Sequence, residues 1–97
     1  MTIEKKTNGS TVELYLDGWM DTPNAVVLAQ ALNELDDGVE QLVLDLEKLE
    51  FTSSAGIRQI IAAYKHMKGA LTLRNVSPEI MSVLHMTGLD KGLHIEP

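Results

Sequence analysis

Six residues in the middle of the chain, Gln41-Leu42-Val43-Leu44-Asp45-Leu46, form a nearly unbroken apolar run. Such a run is typical of a central β-strand covered on both faces, because a strand with one wet face alternates apolar and polar residues. The rest of the chain must therefore supply neighbouring strands and covering helices. In a chain of 97 residues this requirement predicts one continuous domain, residues 1–97.

Strand-like and helix-like patterns alternate along the rest of the chain. The opening residues predict a β-hairpin of strands 2–7 and 10–17, because the pair Asn8-Gly9 tolerates the positive φ angles of a type I′ turn. A connection at 18–21 is followed by a helix. The remaining pattern predicts helices from the N-cap Thr22 to Asp37-Gly38, from Ser53 or Ser54 to a C-cap at Gly69, and from Ser77 to Gly88, with strands over 70–76 and 93–95. The alternation predicts an α/β fold with a mixed sheet.

Composition excludes several classes of function. Eight basic and fourteen acidic residues give a net charge of −6, which disfavours nucleic acid as a partner because phosphate binding requires clustered Lys and Arg. The apolar runs are too short to span a bilayer, and the first residues lack a signal-peptide core. We therefore expect a soluble cytoplasmic protein without membrane insertion. The chain has no cysteine, and its three histidines lack metal-ligand spacing, so neither a metal nor a cofactor is expected.

The most unusual stretch is the strand-to-helix junction Thr52-Ser53-Ser54-Ala55-Gly56. One interpretation is purely structural: a serine caps the helix, and the small residues allow a tight turn. The other is that an exposed hydroxyl is presented to a partner and modified there. A phosphate at this place would lie against free backbone N–H groups and the positive end of a helix dipole. Arg58, one turn after Ser54, either pairs with that phosphate or is a solvated helix residue.

The sequence contains no recognisable arrangement of catalytic residues. A serine hydrolase requires a general base aimed at Ser53 or Ser54, and the histidines show no arrangement that implies this geometry. No nucleophile elbow or phosphate-binding glycine-rich loop is present. Asp45, at the end of the apolar run, is either a functional acid at a strand end or a turn residue. We therefore expect a binding protein rather than an enzyme.

Five segments together resemble the STAS domains, named for sulfate transporters and anti-sigma factor antagonists, and especially the small free-standing antagonists. Residues 51–58 (Phe-Thr-Ser-Ser-Ala-Gly-Ile-Arg) are similar to the Asp-Ser-Ser-Gly-Leu or Ser-Ser-Ala-Gly-Leu-Arg motif that follows the family's central strand. Residues 18–21 resemble its Gly-Xaa-Leu-Asp segment, and 42–46 resemble its central strand. Residues 74–79 and 84–90 resemble its last strand and helix.

The resemblance implies a mixed sheet of four to five strands with helices mainly on one face, and no catalysis. In that family the unphosphorylated protein binds an anti-sigma factor that is also a serine kinase. Phosphorylation by this kinase releases the antagonist, and a PP2C-type phosphatase restores it. Ser54 is the first choice for the phosphorylated residue and Ser53 the second, because the resemblance to the Ser-Ser-Ala-Gly form implies phosphorylation at its second serine. Alignment on the glycine places Ser53 where the commoner motif has aspartate and Ala55 where that motif has its second serine. The partner-binding surface near the site is expected to include Asp21, Thr22, Asp45, Thr52, Ala55, Gly56 and Arg58.

Two other functions stay open at this point. A free-standing STAS subunit can act as a scaffold bound to the ATPase of an ABC transporter, which would use the same helix face without phosphorylation. A small hydrolase or nucleotide-binding enzyme is the third hypothesis, although the sequence offers no assembled nucleophile and base.

Overall fold

Strands and helices alternate in a computed structural model that describes all residues, 1–97. In chain order they are β1 (Thr2–Asn8), β2 (Thr11–Met20), α1 (Thr22–Asn33), β3 (Gln41–Thr52), α2 (Ser54–His66), β4 (Leu71–Arg74), α3 (Pro78–Met86) and β5 (His94–Glu96). A short 3-10 turn, Leu89–Lys91, precedes β5. No helix is long and apolar enough to cross a membrane.

The five strands form one sheet in the order β1-β2-β3-β4-β5. β1 is antiparallel to β2, and every later strand is parallel to the one before it. Each parallel connection passes through a helix and moves the chain one strand further in the same direction. Because such crossovers are right-handed, all three helices cover the same face of the sheet. The predicted mixed α/β fold with helices mainly on one face is confirmed.

The hydrophobic core is a single cluster of 19 buried residues between the sheet and the helices. The strands contribute alternate side chains to it, among them Leu14, Leu44 and Leu73. The opposite face of the sheet, which we call the open face, carries polar side chains such as Glu13 and Arg74. The prediction that β3 is covered on both faces is therefore wrong, because only one of its faces meets the helices.

The loop of the hairpin and the start of the first helix are each displaced by one residue from the predicted position. Asn8 pairs with Thr11, so the two-residue loop is Gly9-Ser10 rather than Asn8-Gly9, and only Gly9 adopts a positive φ, of 61°. β2 then continues to Met20 through residues expected to form a connection. Asp21, in extended conformation, caps α1 in place of Thr22, which is already helical.

The other element ends follow the predicted order with shorter bounds. α1 ends at Asn33, four residues before the predicted stop, and α2 ends at His66 with Met67 rather than Gly69 as C-cap. α3 begins at the predicted cap Ser77 and ends at Met86. β4 and β5 are short strands within or beside their predicted ranges.

β3 is much longer than the apolar run that predicts it, since it continues through polar residues to Thr52. β4 pairs with it only as far as Asp45, and β1 begins opposite Asp17 of β2. The last residues of β2 and β3 therefore extend beyond both neighbouring strands and pair only with each other, through Trp19–Phe51 and Met20–Thr52. Two register shifts in this pair bend the strands where they leave the rest of the sheet.

Candidate functional site

The candidate site lies where β2 and β3 end and α1 and α2 begin. Met20 pairs with Thr52 in parallel register, and the backbone N–H of Ser53 donates to the carbonyl of Met20 at 2.8 Å. Asp21 and Ser53, which cap the two helices, are therefore neighbours across the sheet. The carboxyl ends of adjacent parallel strands are where α/β proteins commonly place their sites.

Ser53 is the N-cap of α2. Its backbone is extended, and its Oγ accepts a hydrogen bond from the backbone N–H of Gly56 at 3.2 Å. The side chain is half-buried, and this bond satisfies one of the amide groups that the first turn of a helix leaves free. The structural interpretation of the junction therefore applies to Ser53.

Ser54 is the first residue of α2 and is exposed. Its hydroxyl makes no hydrogen bond within the chain. The backbone N–H of Ile57 is the first to donate a helical hydrogen bond, to the carbonyl of Ser53. The backbone N–H of Gly56 donates to the Oγ of Ser53. The amides of Ser54 and Ala55, which is half-buried, are thus the free N–H groups of this helix end.

Gly56 allows the first turn of α2 to approach the strands closely. A Cβ atom built on Gly56 would lie 2.7 Å from Cε of Met20 and would also collide with Oγ1 of Thr52. Thr52 is buried, and its hydroxyl donates to the carbonyl of Ser53 at 3.2 Å. Tight packing beneath the turn therefore fixes the backbone that presents Ser54.

Asp21 and Thr22 lie beside this turn, at the start of α1. Oδ1 of Asp21 accepts from the backbone N–H of Asn24 at 3.0 Å and from its side-chain amide at 2.9 Å. The carboxylate is thus engaged in capping and is half-buried, whereas Thr22 is exposed. Asp21 is the neighbour of Ser53 across the sheet, and Thr22 follows it as the first helical residue.

Arg58 follows Ser54 by four residues, so the two side chains lie on the same face of α2. Arg58 is exposed and makes no ion pair within the chain. Its guanidinium is therefore available to a group added at Ser54 or to a partner.

Asp45 does not join this cluster. It lies in the middle of β3 rather than at its end, seven residues before Thr52, which corresponds to roughly 20 Å along a strand. It is buried on the open face, where Oδ2 accepts hydrogen bonds from Nε of Arg74 at 3.1 Å and from the side-chain Nδ2 of Asn75 at 3.0 Å. The structure thus separates Asp45 from the serines with which it was expected to lie.

Arg74 connects three strands on the open face. Besides Asp45, it binds Glu13 at 2.7 Å and the hydroxyl of Tyr15 at 3.0 Å. The hydrogen bond with Glu13 raises the pKa of Arg74 above the ordinary arginine value. Desolvation by burial lowers this pKa, and the hydrogen bond with Asp45 raises it again. The network is polar, satisfied and remote from the serines, so it serves as structural support.

Sequence reasoning missed two exposed aromatic side chains beside the site. Trp19 and Phe51 lie opposite each other near the ends of β2 and β3, and their ring centroids are 5.2 Å apart. Side chains alternate between the two faces of a strand, and Trp19 and Phe51 directly precede the inward-facing residues Met20 and Thr52. This alternation could have predicted from the sequence that both rings point away from the core.

No group of three or more His, Cys, Asp or Glu residues is arranged to hold a metal ion.

The sequence model of the STAS domain family matches residues 2–97. BtrV of Bordetella bronchiseptica, named as a candidate anti-sigma factor antagonist, is 32% identical over 77 residues, which is 75% of this chain and 66% of that protein. The chain thus spans slightly less than two thirds of this relative.

Two solved structures share the fold. An anti-sigma factor antagonist from Mycobacterium paratuberculosis superposes with a TM-score of 0.89 at 26% identity, over 99% of this chain and 85% of the other. The phosphorylated form of SpoIIAA, a cell fate determinant of Bacillus, superposes with a TM-score of 0.70 over 99% of this chain and 92% of the other. At 18% identity, this second likeness concerns the fold alone. Because the family model spans nearly every residue and the fold agrees with it, the chain belongs to the STAS domain family.

Proposed function

We propose that the chain is an anti-sigma factor antagonist that binds an anti-sigma factor with serine kinase activity and is released when Ser54 is phosphorylated. The observation that carries this proposal is the different environment of the hydroxyl groups of Ser53 and Ser54. Ser53 is engaged as the helix cap, whereas Ser54 presents an exposed and unbonded hydroxyl on a rigid turn. A kinase can reach Ser54 without unfolding any part of the helix.

The position of Ser54 would also make its phosphate compatible with the fold. The free amides of the first turn and the positive end of the α2 dipole both favour an anion there. Arg58 lies one turn further on the same face and can pair with the phosphate oxygens. We therefore expect the phosphorylated chain to stay folded and to differ mainly in its surface.

The change in charge would act on the partner. A phosphate adds about −1.5 to −2 charges at neutral pH to a chain whose net charge is already −6. A partner surface that covers a neutral hydroxyl would then meet a bulky, hydrated anion. Since each ~1.4 kcal/mol changes affinity tenfold, a penalty of several kcal/mol is enough to dissociate the complex.

Two proteins of the same fold support this proposal. The solved structure at 26% identity is an anti-sigma factor antagonist, and SpoIIAA, of the same fold, exists in a phosphorylated form. The proposed function requires a cytoplasmic protein, because the kinase uses ATP. It assigns a binding role and no catalysis to the chain itself.

Phosphorylation in vitro tests the proposal. The chain is incubated with the anti-sigma factor kinase encoded nearest to its gene, with ATP and magnesium, and is then analysed by mass spectrometry. We expect one added phosphate in the wild type and in Ser53→Ala, none in Ser54→Ala, and removal of the phosphate by a PP2C-type phosphatase. A phosphate retained in Ser54→Ala would overturn the assignment of the residue. No phosphate in any variant would overturn the switch and favour the scaffold of an ABC transporter instead.

A further inference from the structure

We propose that Trp19 and Phe51 form an aromatic anchor that the anti-sigma factor covers when it binds. The contact surface would then extend from Ser54 onto the ends of β2 and β3. This inference rests on the proposed function and adds to it a second recognition element, separate from the phosphorylated residue.

The exposure of the two side chains is the first argument. Trp19 is 56% exposed and Phe51 is 40% exposed, although the chain has only four aromatic residues. Large aromatic side chains gain most by burial and, with Arg, are the residues most often found at the energetic centres of protein interfaces. An adjoining pair on the surface is therefore more informative than a single exposed apolar residue.

The geometry of the pair is the second argument. Met20 and Thr52 are buried beneath α2, so the preceding residues on each strand point to the opposite side of the sheet. Nε1 of Trp19 donates to Oε2 of Glu50 at 3.0 Å, which holds the indole beside the Phe51 ring. Because the rings already support each other in the free protein, little side-chain freedom would be lost on binding.

The anchor is continuous with the candidate site. Phe51 precedes Ser54 by three residues, so their backbones are at most about 11 Å apart. Trp19 precedes the helix cap Asp21 by two residues. Because the rings lie on the open face and Ser54 lies on the helix side, a partner surface of ordinary size would have to wrap around the end of β2 and β3 to cover both.

Charge identifies the chemistry of the partner surface. Residues 17–21 and 47–51 contain four acidic side chains and one lysine, a local net charge of −3, from Asp17, Asp21, Glu47, Glu50 and Lys48. An anionic lipid surface or nucleic acid would be repelled by this rim. The matching surface is a protein cleft that is apolar at its centre and lined with basic residues at its edge.

A fluorine label on the only tryptophan of the chain tests the anchor directly. The chain is produced with 5-fluorotryptophan and titrated with the anti-sigma factor kinase encoded nearest to its gene. We expect the ¹⁹F resonance of Trp19 to shift on binding. In calorimetry, Trp19→Ala and Phe51→Ala should each weaken binding by at least about tenfold. The control Met86→Ala removes a side chain that is 82% exposed on α3 and should leave the affinity unchanged.

Failure of the anchor is distinguishable from failure of the proposed function. An unshifted resonance, or wild-type affinity in Trp19→Ala, would overturn the anchor, while loss of binding in Ser54→Asp would still support the switch. If the wild type does not bind the kinase and Ser54 is not phosphorylated, the proposed function fails and the anchor fails with it. Circular dichroism of the aromatic variants ensures that weaker binding does not reflect unfolding.

Discussion

At the scale of residues, two adjacent hydroxyls at the start of α2 have different environments. The Ser53 hydroxyl accepts the Gly56 amide, and the Ser54 hydroxyl faces solvent. The difference follows from backbone conformation, because a capping side chain must come from the extended residue that precedes the helix. The helix cap and the proposed phosphorylation would therefore depend on separate residues.

This separation predicts unequal effects on stability. Ser53→Ala should lower the free energy of unfolding by about 1 kcal/mol, because the Gly56 amide loses its partner. Ser54→Ala should change it by less than ~0.5 kcal/mol, since an exposed side chain without hydrogen bonds is removed. Urea denaturation followed by circular dichroism measures both. Equal destabilisation, or a larger loss in Ser54→Ala, would contradict the assignment of the cap.

Sequence reasoning located the junction but could not place every cap. For α2 it allowed Ser53 or Ser54, and for α1 it chose Thr22 where Asp21 is the cap. In both cases two consecutive residues have side chains capable of capping. Only the backbone angles decide between them, and those depend on how far the preceding strand continues. The length of the preceding strand cannot be read from the few residues around the cap.

At the scale of elements, the side chain of Arg74 joins β4 to β2 and β3 across the open face. It binds Asp45 and Glu13, and the Tyr15 hydroxyl completes the set. Asp45 is 5% exposed, so its carboxylate depends on the hydrogen bonds donated by Arg74 and Asn75 for solvation that water does not supply. The network therefore stabilises the central strands on the side that no helix covers.

Removing the guanidinium should consequently destabilise the sheet. Arg74→Met is expected to lower the free energy of unfolding by about 2–3 kcal/mol, because it leaves a buried carboxylate without its charged partner. The control Glu4→Gln removes only the pair Lys6–Glu4, whose side chains are 57% and 71% exposed, and should cost less than ~0.5 kcal/mol. Chemical denaturation compares the two variants. Equal small effects would show that Arg74 is merely a surface residue.

The sequence predicted the number, type and order of the elements but not the full length of β3. The nearly unbroken apolar run identified 41–46, because those residues lie between two strands and over the core. The continuation to Thr52 is mostly polar, pairs only with β2 and follows register shifts. Its pattern therefore resembles a loop. This misjudged end also explains why Asp45 was expected beside the serines.

At the scale of the whole molecule, the layered fold separates the residues that stabilise the sheet from the proposed binding surface. The helices and the core occupy one side of the sheet, and the polar network stabilises the other. The proposed binding surface lies at the end where β2 and β3 extend beyond their neighbours. A phosphate there would change the surface charge without touching the core. Release of the partner would then require no conformational change in this chain.

The central claim is that a phosphate on Ser54 removes the partner while the fold stays intact. Isothermal titration calorimetry of the anti-sigma factor kinase against the unphosphorylated chain and against the chain fully phosphorylated on Ser54 tests it most directly. We predict binding at least about 100-fold weaker for the phosphorylated chain, equivalent to ~2.7 kcal/mol, with an unchanged circular dichroism spectrum. Affinities that agree within about threefold would contradict the account.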